Sequence, residues 1–197
     1  MSGRSRCSPD AIGFTVGVLV QANHGRRARF QVDGVPVGRV IGAGEVPLPR
    51  PPTATPASGP GSEGAGSITV VVATDAPLLP NQCERLAQRA GLGIARTGGV
   101  GEHSSGDLFI AFATGNRGLT QGAYGVVEPL TVPLRMLSNN HINPLFDAVV
   151  EATEEAIVNA MLQAGTVVGR DGITAHGLDG RRLVEVMRSY RRGPGED

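Results

Sequence analysis

The sequence predicts an α/β layered domain, and three observations predict it. Phe14–Gln21, Ser67–Ala73 and Asp107–Thr114 are short runs rich in Val, Ile, Phe and Ala, the signature of strands buried on both faces. Apolar residues at helical spacing mark longer segments, clearest over 143–164. Strands and helical segments follow one another in turn, so helices must cover the strands.

Each element has its own signal. Phe14–Gln21 (FTVGVLVQ) opens the pattern as a buried strand. Phe30-Gln31-Val32 and Val35-Pro36-Val37 flank Asp33-Gly34, which predicts a hairpin whose second arm Pro36 confines to an edge. Residues 42–66 are rich in Pro, Gly and Ser without periodic apolar positions, and read as a mobile loop. After the strand at Ser67–Ala73, a helix is expected over about Pro80–Gly91. Asn81 would cap it with Glu84 three residues on, and Leu79, Cys83, Leu86, Ala87 and Ala90 would form its buried face. Glycines 98, 99 and 101 make a turn before the strand at 107–114. In the longest helix Asn143 caps, Pro144 takes the first position, and Phe146, Val149, Val150, Thr153, Ala156, Ile157, Ala160, Met161 and Ala164 form the stripe. Its Glu154 and Glu155 read as a solvated face, and Glu151 lies beside the stripe. A last amphipathic helix spans about Asp179–Arg191, with Leu183, Val184 and Met187 inward. No internal repeat is visible.

Composition excludes several function classes. The 197 residues suit one domain, 40% are hydrophobic, 18% are charged, and the formal net charge is zero, which points to neither a nucleic-acid nor a membrane partner. Cys7 and Cys83 are too few for a disulfide framework or a thiolate metal site. Histidines 24, 103, 141 and 176 lack metal-ligand spacing and read as solvated loop residues. The chain has no lysine, which eliminates Schiff-base chemistry, Ser–Lys dyads and a phosphate-binding loop lysine. Met1 to Asp10 contain no apolar core that could act as a signal peptide and no apolar run is long enough to span a membrane, so a cytoplasmic protein is the default.

The junction between the loop and the strand at Ser67 carries chemical potential. A serine at the first position of a buried strand, behind a loop able to bend sharply, suits a hydrolase that cuts its own backbone before the serine. The freed residue would hold a hydroxyl nucleophile and an α-amine base together. That amine titrates at roughly 7.7–8.0, so part of it is unprotonated near neutrality. An ordinary serine at the edge of a strand after a surface linker explains the same residues.

Several blocks in order resemble one family. GSITVVVATDAPLLPNQCERLAQRAGLGIARTGG, SSGDLFIAF, NPLFDAVVEATEEAIVNAMLQA and the upstream GFTVGVLVQANHG are similar to the DmpA-type aminopeptidases, the L-aminopeptidase/D-esterase and β-peptidyl aminopeptidase group. The resemblance covers about residues 13 to 170, diverges in the loop 42–66, and leaves residues 1–12 without a family pattern.

The resemblance implies a four-layer α/β/β/α sandwich, shared in outline with the ornithine acetyltransferases, here incomplete on its N-terminal side. It divides the chain into a tail (1–12), the end of an upstream fragment (13–41), a processing loop (42–66) and a downstream fragment (67–197). It further implies cleavage of the Gly66–Ser67 bond, Ser67 as nucleophile, no metal or organic cofactor, and homo-oligomers of cut units acting on short peptides, amides or esters. Asn23 aligns with the asparagine whose amide supports the oxyanion; a strand-ending turn asparagine is the plainer reading. Ser105 and Asp107 align with the Ser-x-acid pair that orients the nucleophile, with Asp107 one methylene shorter than a glutamate found there. Without the resemblance, Ser-Ser-Gly-Asp is a turn into a strand. An acyltransferase of the ornithine acetyltransferase type and a non-catalytic remnant that assembles with a partner chain are the alternatives. A sandwich lacking part of its sheets would expose an apolar face and open edges, with poor solubility or oligomerisation.

Overall fold

The computed structural model describes residues 2–6, 13–49, 66–119, 124–125, 127 and 129–191, with backbone alone for 2–6 and 191. One four-stranded sheet runs in the order β1 (Ser2–Arg6), β2 (Thr15–Asn23), β3 (Ser67–Thr74), β4 (Leu108–Ala113). The β1–β2 and β2–β3 pairs are antiparallel, while β3 and β4 are parallel. The connection between these two parallel strands contains α2 (Pro80–Arg96), as a crossover between parallel neighbours requires. The presence of β1 corrects the expectation of an unpatterned tail, since Ser2–Arg6 pairs along Thr15–Leu19. Backbone hydrogen bonding to an exposed edge sets this strand, and its short polar sequence carries no apolar alternation to announce it.

The sheet is covered on one face. Val16, Val18 and Val20 of β2 and Ile68, Val70 and Val72 of β3 are all within 5% of full burial. They form one core with Leu86, Ala90 and Ile94 of α2 and with Leu145, Val149, Ala152, Ala156 and Ile157 of α3 (Asn143–Gln163). Each such side chain contributes roughly 1.5–3 kcal/mol by leaving water. The opposite face, with Leu19, Leu108, Ile110 and Phe112, is open, the last three being 61%, 54% and 48% exposed. This corrects the expectation that every strand is buried on both faces. Besides this sheet the described residues hold the short antiparallel pair of Val167–Val168 with Thr174–Ala175, and a full second sheet of a four-layer sandwich is not among them.

Local details depart from the sequence reading for identifiable reasons. Asp33-Gly34 does make a turn, with Val32 and Val35 bridged across it, but no hairpin follows. After Pro36 the chain enters the short helix α1 (Val37–Val40), because Val37 and Ile41 are buried against Phe30 and against Leu183 and Val186 of α4 (Gly180–Arg191). That inward set corrects Val184, which is 45% exposed. Helix α2 continues past Gly91 to Arg96, since Gly93 is where α2 and α3 touch; a Cβ there would lie 2.6 Å from the Val150 carbonyl oxygen. Its start is capped by Gln82, whose Oε1 accepts the Leu79 N–H at 3.1 Å, rather than by Asn81 and Glu84. Helix α3 begins one residue before the position predicted, at Asn143 itself.

Two acidic residues of α3 also exchange roles. Glu154 accepts the Asp33 N–H at 3.1 Å and lies 3.7 Å from Arg96, while Glu151 is exposed. The first part of the predicted mobile loop is tied down: Glu45 and Val46 donate to the Gly42 carbonyl, and Glu45 pairs with Arg182 of α4 at 2.8 Å. Residues 50–65 of that loop and Cys7 lie outside the described residues.

Candidate active site

The sheet register places Ser67 opposite Asn23. Ser67 is the first residue of β3, Asn23 the last of β2, and the two are direct cross-strand partners. Directly opposed residues project from the same face with Cβ atoms about 4.5–5.5 Å apart. Alternation along β3 sends Ile68, Val70 and Val72 into the core, so Ser67 stands with Thr69 and Val71 on the open face. Of the two residues, Asn23 is the more exposed.

The turn before β4 closes on Ser67 from the other side. Because β4 lies parallel to β3, the segment entering it arrives beside the start of β3. The Gly106 N–H donates to Ser67 Oγ at 2.9 Å. Ser105 Oγ donates to Asp107 Oδ1 at 2.5 Å, and the same oxygen accepts the Ile68 N–H at 3.0 Å. One carboxylate oxygen thus fastens the turn to the residue directly after the serine, and a charged acceptor makes both bonds stronger than neutral ones. Ser67, Ser105 and Asp107 are brought together, with Asn23 as the strand partner.

Gly66 is explained by close backbone approach. A Cβ at Gly66 would lie 2.0 Å from the Asn23 carbonyl oxygen, so this backbone path has no room for a side chain. The peptide before Ser67 is thereby laid over the strand end that carries Asn23.

Two contributors were not legible as site residues. Gly106 was read only as part of a turn, and its N–H is the group that holds the Ser67 hydroxyl. His24 corrects the reading of solvated histidines: its Nδ1 is buried and has no hydrogen-bond partner among the described residues, whereas His103, His141 and His176 are exposed. Burial holds its imidazole below the ordinary histidine value, and the Asp107 carboxylate pulls the other way. The one available signal was its position directly after Asn23. Cys83 lies beside the core, and burial pushes its thiol up, as expected of an inert structural cysteine. Among the described residues no cluster of three or more His, Cys, Asp or Glu could hold a metal ion, and no helix is long and apolar enough to cross a membrane.

The chain is similar to known proteins in sequence and in fold. The β-peptidyl aminopeptidase BapA of Sphingosinicella microcystinivorans is 40% identical over 184 residues, covering 93% of this chain and 45% of that protein. A Burkholderia sp. β-aminopeptidase structure superposes with a TM-score of 0.79 at 45% identity, over 98% of this chain and 50% of that one. The L-aminopeptidase D-Ala-esterase/amidase of Ochrobactrum anthropi, described as a prototype of the serine aminopeptidases and a variant of the Ntn hydrolase fold, gives 0.74 at 37% identity, over 97% and 48%. The chain therefore spans about half the length of the relatives it matches, and it shares their α/β fold. The match to Peptidase family S58 begins at residue 3, so it takes in β1, which the sequence reading had left without a family pattern. Matched from residue 3 to residue 175, this chain belongs to Peptidase family S58.

Proposed function

We propose that the chain is a self-processing serine aminopeptidase whose nucleophile, Ser67, is released by cleavage of the Gly66–Ser67 bond. The observation that carries this reading is the meeting of Asn23, the 105–107 turn and Gly66 at the first residue of β3. In self-cleavage Ser67 Oγ attacks the Gly66 carbonyl carbon, the C–N bond breaks, and the Ser67 nitrogen takes up the hydroxyl proton. Water then hydrolyses the resulting ester, leaving a carboxylate on Gly66 and a free α-amine on Ser67.

In turnover the α-amine accepts the proton from Ser67 Oγ as the hydroxyl attacks the carbonyl of a peptide, amide or ester. The Asn23 amide stabilises the oxyanion, a contribution of about 3–4 kcal/mol for one well-placed donor. Ser105 and Asp107 hold the hydroxyl and amine in place and balance the α-ammonium when it forms. The amine returns its proton to the leaving group, and water resolves the acyl-enzyme. Short peptides, amides or esters are the substrate class, from which N-terminal residues are released, in keeping with what the relatives are named for.

Intact mass after purification tests this. Two fragments meeting between Gly66 and Ser67, absent in Ser67→Ala, support the reading; an uncut mass that persists on long incubation removes it. A second reading has its own supporting observation. The open sheet face bearing Ile110 and Phe112 favours a chain that works only when another polypeptide covers that face, either in a homo-oligomer or with a partner chain. Hydrolysis that appears only on adding a relative's upstream fragment would select it. Transfer of an acyl group to an amino-acid acceptor without net hydrolysis would select an acyltransferase instead.

A further inference from the structure

Cleavage before Ser67 makes two charges where a neutral peptide stood. In the reaction above Asp107 balances one of them, the α-ammonium of Ser67. The other, the carboxylate left on Gly66, has no cation there, and an unpaired carboxylate out of water is costly. It also occupies a place that turnover needs. Self-cleavage and hydrolysis use one nucleophile, so a substrate carbonyl must take the seat that the Gly66 carbonyl held. The Gly66 end therefore has to leave that seat and find a counter-charge.

A compartment suited to it lies alongside. Gly66 rests on the end of β2: a Cβ there would be 2.0 Å from the Asn23 carbonyl oxygen and 3.4 Å from His24 Cα. Asn23 and His24 are also walls of a cavity of about 300 Å³, which Arg26 and Arg27 line as well. No Asp or Glu is among its described walls. Leu48 and Pro49, from the segment that ends at Gly66, pass along the same cavity.

We propose that this cavity is a carboxylate site and that its occupant is the Gly66 terminus set free by cleavage, with Arg27 as the principal cation. The proposal rests on the serine peptidase reading. Arg26 is the lesser partner, because its Nε lies 2.9 Å from Glu102 Oε1, an oxygen that Arg29 also meets at 3.2 Å. Arg27 makes no ion pair among the described residues. Its Nη1 donates to the Val46 carbonyl at 3.0 Å, and the guanidinium fork carries further N–H groups for a carboxylate. His24 Nδ1 is buried with no hydrogen-bond partner among the described residues, and as the Nδ1–H tautomer it can donate to a carboxylate oxygen. Ile157 and Met161 close the cavity from α3, and apolar walls strengthen an ion pair formed beside them. Held there, the terminus uncovers Ser67 Oγ and is kept from rejoining the α-amine, which is left free to act as base.

The test is carboxypeptidase trimming of the upstream fragment in the full, self-cut chain, read by intact mass. Arg27→Gln keeps an amide N–H for the Val46 carbonyl and removes the charge, whereas Arg27→Lys keeps the charge. Loss of Gly66 should be about tenfold to a hundredfold slower in wild type than in Arg27→Gln, the scale of one charge-assisted hydrogen bond, with Arg27→Lys close to wild type. Equal trimming in wild type and Arg27→Gln overturns the proposal, whether both termini are protected or both are open. Fast trimming in Arg27→Lys as well marks a merely structural arginine and overturns it too. A wild-type terminus trimmed as fast as a free peptide ending in Glu63-Gly64-Ala65-Gly66 overturns it without any variant. A second measurement reads the reaction seat. In cut Arg27→Gln the terminus stays over Ser67, so KM for an alanyl nitroanilide rises about tenfold with kcat little changed, and trimming Gly66 away restores it. A KM that trimming does not restore overturns the proposal. A Gly66–Ser67 bond that is never cut overturns the peptidase reading and this proposal with it, whereas normal cutting and hydrolysis with equal trimming overturns this proposal alone.

Discussion

The two faces of one sheet carry side chains of similar hydrophobicity and opposite exposure. On the inner face Val16, Val18, Val20, Ile68, Val70 and Val72 are sealed under α2 and α3. One residue along each strand, on the outer face, Leu19, Ile110 and Phe112 are half exposed, and Ser67 and Asn23 stand at the end of the same surface. Alternation assigns stability to one face and chemistry to the other. The difference teaches that apolar content alone does not say which side of a strand is covered. The outer residues are as hydrophobic as a core, and what they lack is a layer to meet.

Four predictions follow from that contrast, in decreasing order of effect. Ser67→Ala, on the outer face, should abolish processing and reduce hydrolysis on the order of 10⁶-fold, the scale of losing a serine nucleophile, with the thermal transition of the uncut chain retained. Mass spectrometry and nitroanilide assays read both. Asn23→Ala should lower kcat by about 10²–10³-fold with little change in KM, as expected when one oxyanion donor is lost. A matching rise in KM at constant kcat would assign Asn23 to substrate binding instead.

A paired truncation addresses the faces directly. Ile68→Ala removes a side chain with no exposure and should destabilise by about 2–5 kcal/mol in urea unfolding. Ile110→Ala, at 54% exposure on the outer face, should cost under about 1 kcal/mol. Equal costs would mean that the outer face is covered in solution, and would direct attention to what covers it. The smallest effect concerns His24. Its folded-state value lies below the unfolded one, so the unfolded chain binds the proton first as pH falls, and stability drops as pH passes downward through about 6.5. His24→Gln should flatten that decline in a pH series of urea midpoints, while leaving midpoints above pH 7.5 parallel to wild type.

Much of the candidate site was legible because its parts are local in sequence. Ser105, Gly106 and Asp107 share one turn, Gly66 and Ser67 one junction, and Asn23 ends a strand that apolar pattern alone announces. What could not be read is which nitrogen or oxygen meets which. The Gly106 N–H on Ser67 Oγ joins residues 39 apart in sequence, and only the parallel pairing of β3 with β4 makes it. His24 was misread for the same reason, since its burial comes from Gly99 and from α3 residues far along the chain. The hairpin failed where a local turn signal was outweighed by the burial of Val37 and Ile41 against α4.

Residue order settled the class of fold, the strand that bears the serine and the glycine before it, because short-range periodicity and backbone freedom are properties of neighbouring residues. Three-dimensional pairing settled the rest: the register that sets Asn23 beside Ser67, the carboxylate bond that locks the turn, the enclosure of His24 and the openness of the outer face. Those features arise where segments distant in sequence compete for the same contacts, and the outcome depends on the free energy of the assembled layers rather than on any one stretch of chain.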